Sequence, residues 1–211
     1  MKIETLQVAG QFPALYAMRN PMTSNARADS EFTGNGFVVG DADKALSIKL
    51  QKAGPEHCKH LRMVMVWADI TASLTWWKQA DCYRAGVEKV STSTMHKLMS
   101  RPLSIDDFEA ANIDCYSQQL CETVEYLNRL INAYNTSDDP AEKKQIWEYA
   151  IQILPQSYLQ RRTVMFSYAA LRNIVRQRKG HKLSQWSSFI DWAKSLPESW
   201  MIFDEEVSQF E

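Results

Sequence analysis

The chain has 211 residues, 45% apolar and 23% charged, with a formal net charge of −1. That length suits one large domain with its own core or two small ones. The charge balance excludes a broad electrostatic footprint on nucleic acid or an anionic membrane and leaves room only for a local basic groove. Four cysteines (Cys58, Cys82, Cys115 and Cys121) make no CxxC pair and no zinc-like spacing. No secretory apolar segment opens the chain, and no apolar run nears the roughly 20 residues that span a bilayer. The expectation is a cytoplasmic protein with reduced thiols.

MKIETLQVAG reads as a strand ending at Gly10. Residues 19–40, rich in Asn, Ser, Gly and Asp, read as a long loop of the functional or mobile kind. Asp41 or Asp43 can cap a helix over 43–53, which Gly54-Pro55 stops. LRMVMVWADI (61–70) reads as a buried strand, and 74–85 as a helix with Leu74, Trp77 and Asp81 on one side. From Tyr116 to Tyr134, Leu120, Val124, Leu127, Ile131 and Tyr134 recur at steps of three and four, the clearest amphipathic helix in the chain. Asn135 to Pro140 is a turn, and Asp139-Pro140 opens a helix through Trp147 to Ile153. After Pro155 a long helix is expected from Tyr158 to Gln177, with Val164, Tyr168, Leu171 and Val175 on one face and Gly180 ending it. Ser184 can cap a last helix carrying Trp186, Phe189, Ile190 and Ala193, which Pro197 terminates. Residues 204–211 read as an acidic tail. No repeat or linker divides the chain, so one helix-rich α+β domain over 1–211 is expected, with its strands weighted to the N-terminal half.

Three stretches can carry chemistry. His57-Cys58-Lys59-His60 offers metal-ligand types, or a His and a Lys for an anionic ligand, or a solvated turn; no further ligand at a telling spacing favours a metal. Trp76–Leu98 joins two tryptophans, Lys78, Gln79, Tyr83, Arg84, Lys89, Ser91-Thr92-Ser93-Thr94 and His96. Aromatics that stack, with cations and hydroxyls that hold phosphate, suit a nucleotide. The plainer reading is a buried Trp pair and a hydroxyl turn capping a helix at Met95. Arg161, Arg162, Arg172, Arg176, Arg178 and Lys179 make the long C-terminal helix cationic, as a solvated face or a phosphate-binding edge. No Gly-rich phosphate loop, G-x-S-x-G elbow or H-E-x-x-H occurs.

Laid out in order, these residues resemble the flavin-dependent thymidylate synthases, in a divergent branch of the phage type. The family signature R-H-R-x-x-S-x-N-E-x-S-x-R, with Gln upstream, falls on Gln79, then Cys82-Tyr83-Arg84, Val87, Lys89-Val90, Thr92 and Thr94. The family's later L-P…N…R…Q-W falls on Leu154-Pro155, Asn173, Arg178 and Gln185-Trp186, and its G-H-x-T-P-x-E-H falls on 54–60. The resemblance covers roughly residues 42 to 192. It implies a helix-rich α+β fold with a small, mostly antiparallel sheet, assembled as a homotetramer that binds FAD and dUMP where subunits meet. The implied activity is methylation of dUMP from methylenetetrahydrofolate by reduced flavin, with NADPH as reductant and no cysteine nucleophile. His60, Tyr83, Arg84, Lys89 and Asn173 would then bind the cofactor, Gln79, Thr92 and Arg178 the nucleotide, and Thr92 and Arg84 would serve catalysis. No metal is implied, and nucleic acid and membrane are not expected partners.

Three family arginines fall on Cys82, Thr94 and Ile151. Each lost charge-assisted phosphate contact is worth about 1.5–3 kcal/mol, so Lys89, Arg176 or His96 would have to compensate. The competing readings are a nucleotide-binding or protein-interaction module that has lost the chemistry, and a nucleic-acid binder working through the Arg-rich helix.

Overall fold

The first ten residues form strand β1 (Lys2–Ala9), and helix α1 (Gln11–Ala17) follows in this computed structural model. The structure describes residues 1–34, 36–109 and 114–203, with 114–117 described by backbone alone. The expected tail over 204–211 lies outside the described residues.

The stretch 19–40 is tied down. It holds two 3-10 turns and a hairpin of β2 (Glu31–Thr33) and β3 (Gly36–Val38), with Phe32 opposite Phe37. Buried Arg19 and Asp43 form an ion pair, and Asp43 also accepts from the backbone N–H of Ser30 at 3.0 Å and of Asp29 at 3.2 Å. Helix α2 (Asp41–Ala53) is capped neither by Asp41 nor by Asp43. Its N-cap is Gly40, and the carboxylate of Asp29 accepts from the N–H groups of Ala42 (2.8 Å) and Asp43 (2.9 Å). The cap arrives from a loop 12 residues upstream of Asp41 by numbering, which no local rule of helix starts detects.

Strand β4 (Met65–Ser73) starts later and runs further than expected, because 59–62 forms a 3-10 turn first. Alternate residues Val66, Ala68, Ile70 and Ala72 are fully buried, the period of a strand. Ser73 caps α3 (Leu74–Ala80) by accepting from Trp76 N–H at 3.2 Å. The expected helix over 74–85 stops at Ala80, and a strand that the residue pattern does not signal follows, β5 (Val87–Ser91). Ser93 then caps α4 (Thr94–Lys97), as the plainer reading of the hydroxyl run had it. Helix α5 (Asp114–Thr136) matches the periodicity, and α6 (Pro140–Gln152) opens at Asp139-Pro140 as expected, with Asp139 accepting from Ala141 N–H at 2.9 Å.

The long helix expected from Tyr158 to Gln177 is overturned. Residues 159–167 form strand β6 (Leu159–Ser167), and the helix begins only at α7 (Tyr168–Arg178). Thr163, Val164 and Phe166 favour strands, Val164 and Phe166 are buried, and the Thr163 hydroxyl bonds Asp69 of β4. The step from Val164 to Tyr168 mimics one helical turn but crosses an element boundary. Ser167 marks that boundary as N-cap, accepting from Ala170 N–H at 3.1 Å. Leu183, not Ser184, is the N-cap of the last helix, α8 (Ser184–Lys194), and makes no side-chain cap bond.

The long strands lie in the order β1-β4-β6-β5, a small antiparallel sheet in a helix-rich α+β chain. Among the described residues β1 to β5 all end by Ser91 and β6 follows at Leu159–Ser167, so the strands are weighted to the N-terminal half as expected. The described residues group into two compact units. One comprises Met1–Lys2, Ile70–Cys82 and Val90–Arg162. Its core is Leu98, Met99, Leu103, Phe108, Val124, Leu127, Ile131, Ala150 and Leu154. Asn128 holds the Leu103 backbone from both sides, accepting from its N–H at 2.7 Å and donating to its carbonyl at 2.9 Å. The other comprises Ile3–Asp69, Tyr83–Lys89 and residues 163–203, built on the buried alternation of β4 and on Phe166, Leu171, Ile174, Trp186 and Phe189.

Candidate functional site

Helix α7 organises the second unit. Its 11 residues alternate an apolar face (Leu171, Ile174, Val175) with a polar one (Asn173, Arg176, Gln177). Along the polar face, Gln177 donates to the Asn173 side-chain oxygen at 2.9 Å. The Tyr83 hydroxyl donates to the Gln177 oxygen at 3.1 Å and accepts from Arg178 Nε at 2.9 Å. The Arg178 guanidinium lies over the Trp186 ring, 4.7 Å from its centroid. Lys89 Nζ donates to the Tyr83 carbonyl at 3.3 Å. Four residues singled out in the sequence (Tyr83, Lys89, Asn173 and Arg178) therefore share one connected network, although about 90 positions separate its two halves along the chain.

The segment 83–89 is fixed to the start of α7 through Gly86. Ser167 N–H donates to the Gly86 carbonyl at 2.8 Å. Gly86 has φ +71, and a Cβ there would stand 2.5 Å from the Ser167 hydroxyl oxygen. Only glycine satisfies both demands. A cavity of about 500 Å³ opens at this place, lined by Arg62, Met65, Ala85, Gly86, Ser167, Ala169, Ala170 and Asn173. Its walls are mostly small, and it borders the first turn of α7, where the helix dipole favours negative charge while the N–H groups of Tyr168 and Ala170 are already bonded to Val64 and Ser167.

A second cavity, also about 500 Å³, shares Arg62, Ala169 and Asn173 with the first. Its lining adds Gln51, Lys52, Gly54, Pro55, Cys58, Leu61, Arg172 and Arg176. Among the described residues, four cations line it. Buried Arg172 is held in place, donating to the Gln51 side-chain oxygen at 2.7 Å. Burial pushes the Cys58 thiol up, Arg172, Arg176 and Arg62 pull it back down, and Glu56 opposes them. Neither Arg62 nor Lys52 matches a motif position; their one signal in the sequence is place, at a helix end and just before a strand.

The remaining expected site residues lie elsewhere or stand apart. Arg84 belongs to the second unit, exposed, and its guanidinium makes no hydrogen bond or ion pair among the described residues. His60 is 3% exposed, and its Nε2 meets the Ser47 hydroxyl at 2.8 Å. Burial pushes its pKa down to about 4, so it is a neutral ring at neutral pH. His60 borders a different, apolar cavity with Met18, Met22, Leu46, Leu50 and Met63. Gln79 and Thr92 belong to the first unit. Thr92 is exposed, and its backbone bonds Arg161 and Gln160, through its N–H at 2.9 Å and its carbonyl at 3.0 Å. Trp76 and Trp77 are each 1% exposed and pack edge to face, so they are core, and the Trp77 face is taken by the Arg162 guanidinium, 4.2 Å from its centroid. His96 closes on its own cap, 2.7 Å from the Ser93 hydroxyl. Among the described residues no helix is long and apolar enough to cross a membrane.

No protein-family model matches the chain, and no curated protein matches it either. Solved structures do. Thymidylate synthase X from Helicobacter pylori, crystallised with FAD and dUMP, is similar with a TM-score of 0.72 at 16% identity, over 97% of this chain and 98% of that one. A second structure, of the flavin-dependent thymidylate synthase from Helicobacter pylori complexed with FAD and dUMP, is similar with a TM-score of 0.71 at 16% identity and the same coverage. The chain has the fold of these enzymes over nearly its whole length.

Proposed function

We propose that this protein is a flavin-dependent thymidylate synthase-like enzyme that binds FAD and a uridine-type nucleotide and methylates dUMP. The observation that carries the reading is the convergence of Tyr83, Lys89, Asn173 and Arg178 on one network beside the Gly86 cavity. The resemblance assigns those four residues to cofactor and nucleotide independently of the geometry, and the fold is that of enzymes solved with both ligands.

The residues present suit a flavin dinucleotide. Ala85, Gly86, Ala169 and Ala170 leave a low wall against which a flat ring can lie, with Asn173 and Arg62 as polar edges. Bound flavin would supply the reducing equivalents for moving a one-carbon unit from methylenetetrahydrofolate to dUMP, with NADPH as reductant. The chain's own contribution is positioning. Tyr83 and the Trp186 face fix the Arg178 guanidinium, so an anion it holds meets a preset charge. Lys89 and the Gly86 turn fix Tyr83 in turn. Arg84 and Thr92 keep catalytic assignments, and His60 and Gln79 binding assignments, through the resemblance.

The purified protein is expected to carry flavin absorbance, to gain thermal stability from added FAD and to form thymidylate from dUMP. Saturating FAD at one hundred times its Kd adds about 2.7 kcal/mol. A colourless protein whose Tm ignores FAD would sink the reading. Loss of turnover in Thr92→Ala with flavin retained supports its catalytic role; Arg84→Ala, at a residue the resemblance also assigns to the cofactor, should lose turnover and weaken flavin binding together. The homotetramer is checked by light scattering of the same sample. A second reading is favoured by Cys82, Thr94 and Ile151, which put no charge where the family keeps arginine: a nucleotide-binding or interaction module without turnover. Flavin and dUMP binding with no thymidylate formed is its signature.

A further inference from the structure

We infer that Gln177 is a positioning residue: it fixes the polarity of the Asn173 side-chain amide, so that Asn173 meets the ligand of the Gly86 cavity as a hydrogen-bond donor. The ligand class this selects is a flat ring with an acceptor on its edge, a carbonyl oxygen or an unprotonated ring nitrogen. The ligand's identity as a flavin rests on the reading above, whereas the polarity rests on hydrogen bonds alone. Gln177 falls on none of the motif positions of the resemblance.

The direction of the network starts at Arg178. A guanidinium has donors and no acceptor. Arg178 Nε therefore donates to the Tyr83 hydroxyl, at 2.9 Å, and that oxygen accepts. The hydroxyl carries one proton, which is left for Gln177 Oε1 at 3.1 Å. With its oxygen turned to Tyr83, Gln177 has only its NH2 to offer Asn173, and Nε2 donates to Asn173 Oδ1 at 2.9 Å. With its oxygen turned to Gln177, Asn173 in turn has only its own NH2 for anything else it meets. Among the described residues Asn173 Nδ2 makes no hydrogen bond. Asn173 lines the Gly86 cavity and the cation-lined one beside it.

Each link has a local cause. Asn173 and Gln177 stand four residues apart on α7, neighbours on one helix face. Tyr83 is held from both sides, with Lys89 Nζ donating to its carbonyl at 3.3 Å and the Arg178 guanidinium 5.4 Å from its ring centroid. Arg178 in turn lies over the Trp186 ring. An isolated Asn amide can turn over and present either edge, because its oxygen and NH2 have nearly the same shape. Braced through Gln177, it presents one. A preset donor needs less ordering when the ligand arrives. A ring that brings an N–H to the same place leaves two donors facing each other without an acceptor. The network thus selects for the edge a ligand shows, which a free asparagine does not.

The test is titration of the full-length protein, freed of bound flavin, with FAD. Gln177→Glu is the decisive variant. Its carboxylate still accepts from Tyr83 but cannot donate, so the Asn173 amide turns its NH2 to the carboxylate and its oxygen to the cavity. Affinity for FAD should fall about 10-fold. Gln177→Met frees the amide to take either orientation and should lose about twofold, the share of time a free amide spends turned the right way. In an Asn173→Ala background neither substitution should change the affinity further, which separates amide polarity from the introduced charge. No loss in Gln177→Glu, or an equal loss with and without Asn173, overturns the inference and leaves the flavin reading standing. A wild type that takes no FAD sinks the flavin reading, and melting of the ligand-free protein then decides the inference. There Gln177→Met should lower the Tm by about 2 °C in wild type and by less in Asn173→Ala. Equal lowering in both backgrounds overturns the inference as well.

Discussion

The two units of this chain hold themselves together by different physics. The first is an ordinary apolar core: α5 and α6 bury Val124, Leu127, Ile131 and Ala150, and its buried polar contacts mostly secure backbone, as Asn128 does for Leu103. The second buries ionisable groups as well. Asp43 is 1% exposed, Arg19 5%, His60 3% and Arg172 6%. Burying charge is destabilising unless it is paired and hydrogen-bonded. A unit that gives up stability this way also holds the cation-lined cavity and the Tyr83 network, and the first unit, built on apolar packing, carries neither. Polar burial, the cation-lined cavity and the Tyr83 network thus fall in the same unit, while Gln79 and Thr92 belong to the other.

The largest expected effect tests the contrast directly. Asp43→Ala leaves the Arg19 guanidinium buried without its carboxylate and strips acceptors from Ser30 and Asp29 N–H, so it should cost about 3–5 kcal/mol. Replacing both partners, Arg19→Met with Asp43→Leu, should cost much less than Asp43→Ala alone, because no unpaired charge remains. In the first unit Leu127→Ala should cost about 2–5 kcal/mol through cavity formation, with no partner able to rescue it. Chemical denaturation of wild type and these variants decides. Equal costs for the single and double changes at Asp43 would erase the distinction between the units.

The next effect is read with pH. Burial holds the folded pKa of His60 at about 4, against 6.5 for a free histidine. Above pH 6.5 the ring is neutral in both states. As pH falls from there towards 4, the unfolded chain binds a proton that the folded chain refuses, so stability falls with pH. A tenfold difference in proton affinity between folded and unfolded chains is worth about 1.36 kcal/mol, so His60→Gln should remove about 3 kcal/mol of the loss between pH 7 and pH 4. The quantity to follow is wild-type minus variant stability across that range; a flat difference would show that His60 titrates normally.

The sequence exposed the first unit better than the second, and the reason is the range of the interactions. Apolar periodicity is local, so α5 was legible from Leu120, Val124, Leu127 and Ile131, and α6 from its Asp139-Pro140 start. Caps one residue from their helix were legible too, as at Asp139. What was hidden depends on partners far along the chain. Asp29 caps α2 from the preceding loop. Residues 159–167 follow their neighbours into a sheet against an apparent helical period. Arg62 joins Arg172 and Arg176 only once the chain is folded. The same limit applied to the site. Tyr83, Lys89 and Arg178 stood out by residue type, and the resemblance added Asn173 and the roles expected of all four. Trp76 and Trp77 looked like a stacking surface because composition cannot distinguish a buried aromatic from an exposed one.

The smallest expected effect asks whether the Tyr83 network is a unit or a set of separate contacts. Tyr83→Phe keeps the ring against Trp186, at 6.2 Å between centroids, and deletes only the hydroxyl. That hydroxyl makes two bonds in a partly exposed setting, so the expected cost is about 1 kcal/mol. If the hydroxyl acts by orienting Arg178, Tyr83→Phe should cost almost nothing in an Arg178→Met background, and the cycle should return a coupling of about 0.5–1 kcal/mol. Additive costs would mean that Arg178 is placed without help from the Tyr83 hydroxyl. A coupling in stability matched by a coupling in nucleotide affinity would show that the bond which braces the second unit also aims its cation. That outcome would explain why a tyrosine serves at a position where the resembling family keeps a histidine: a phenol can accept from a guanidinium at any pH near neutrality, whereas a histidine becomes a competing cation as it titrates.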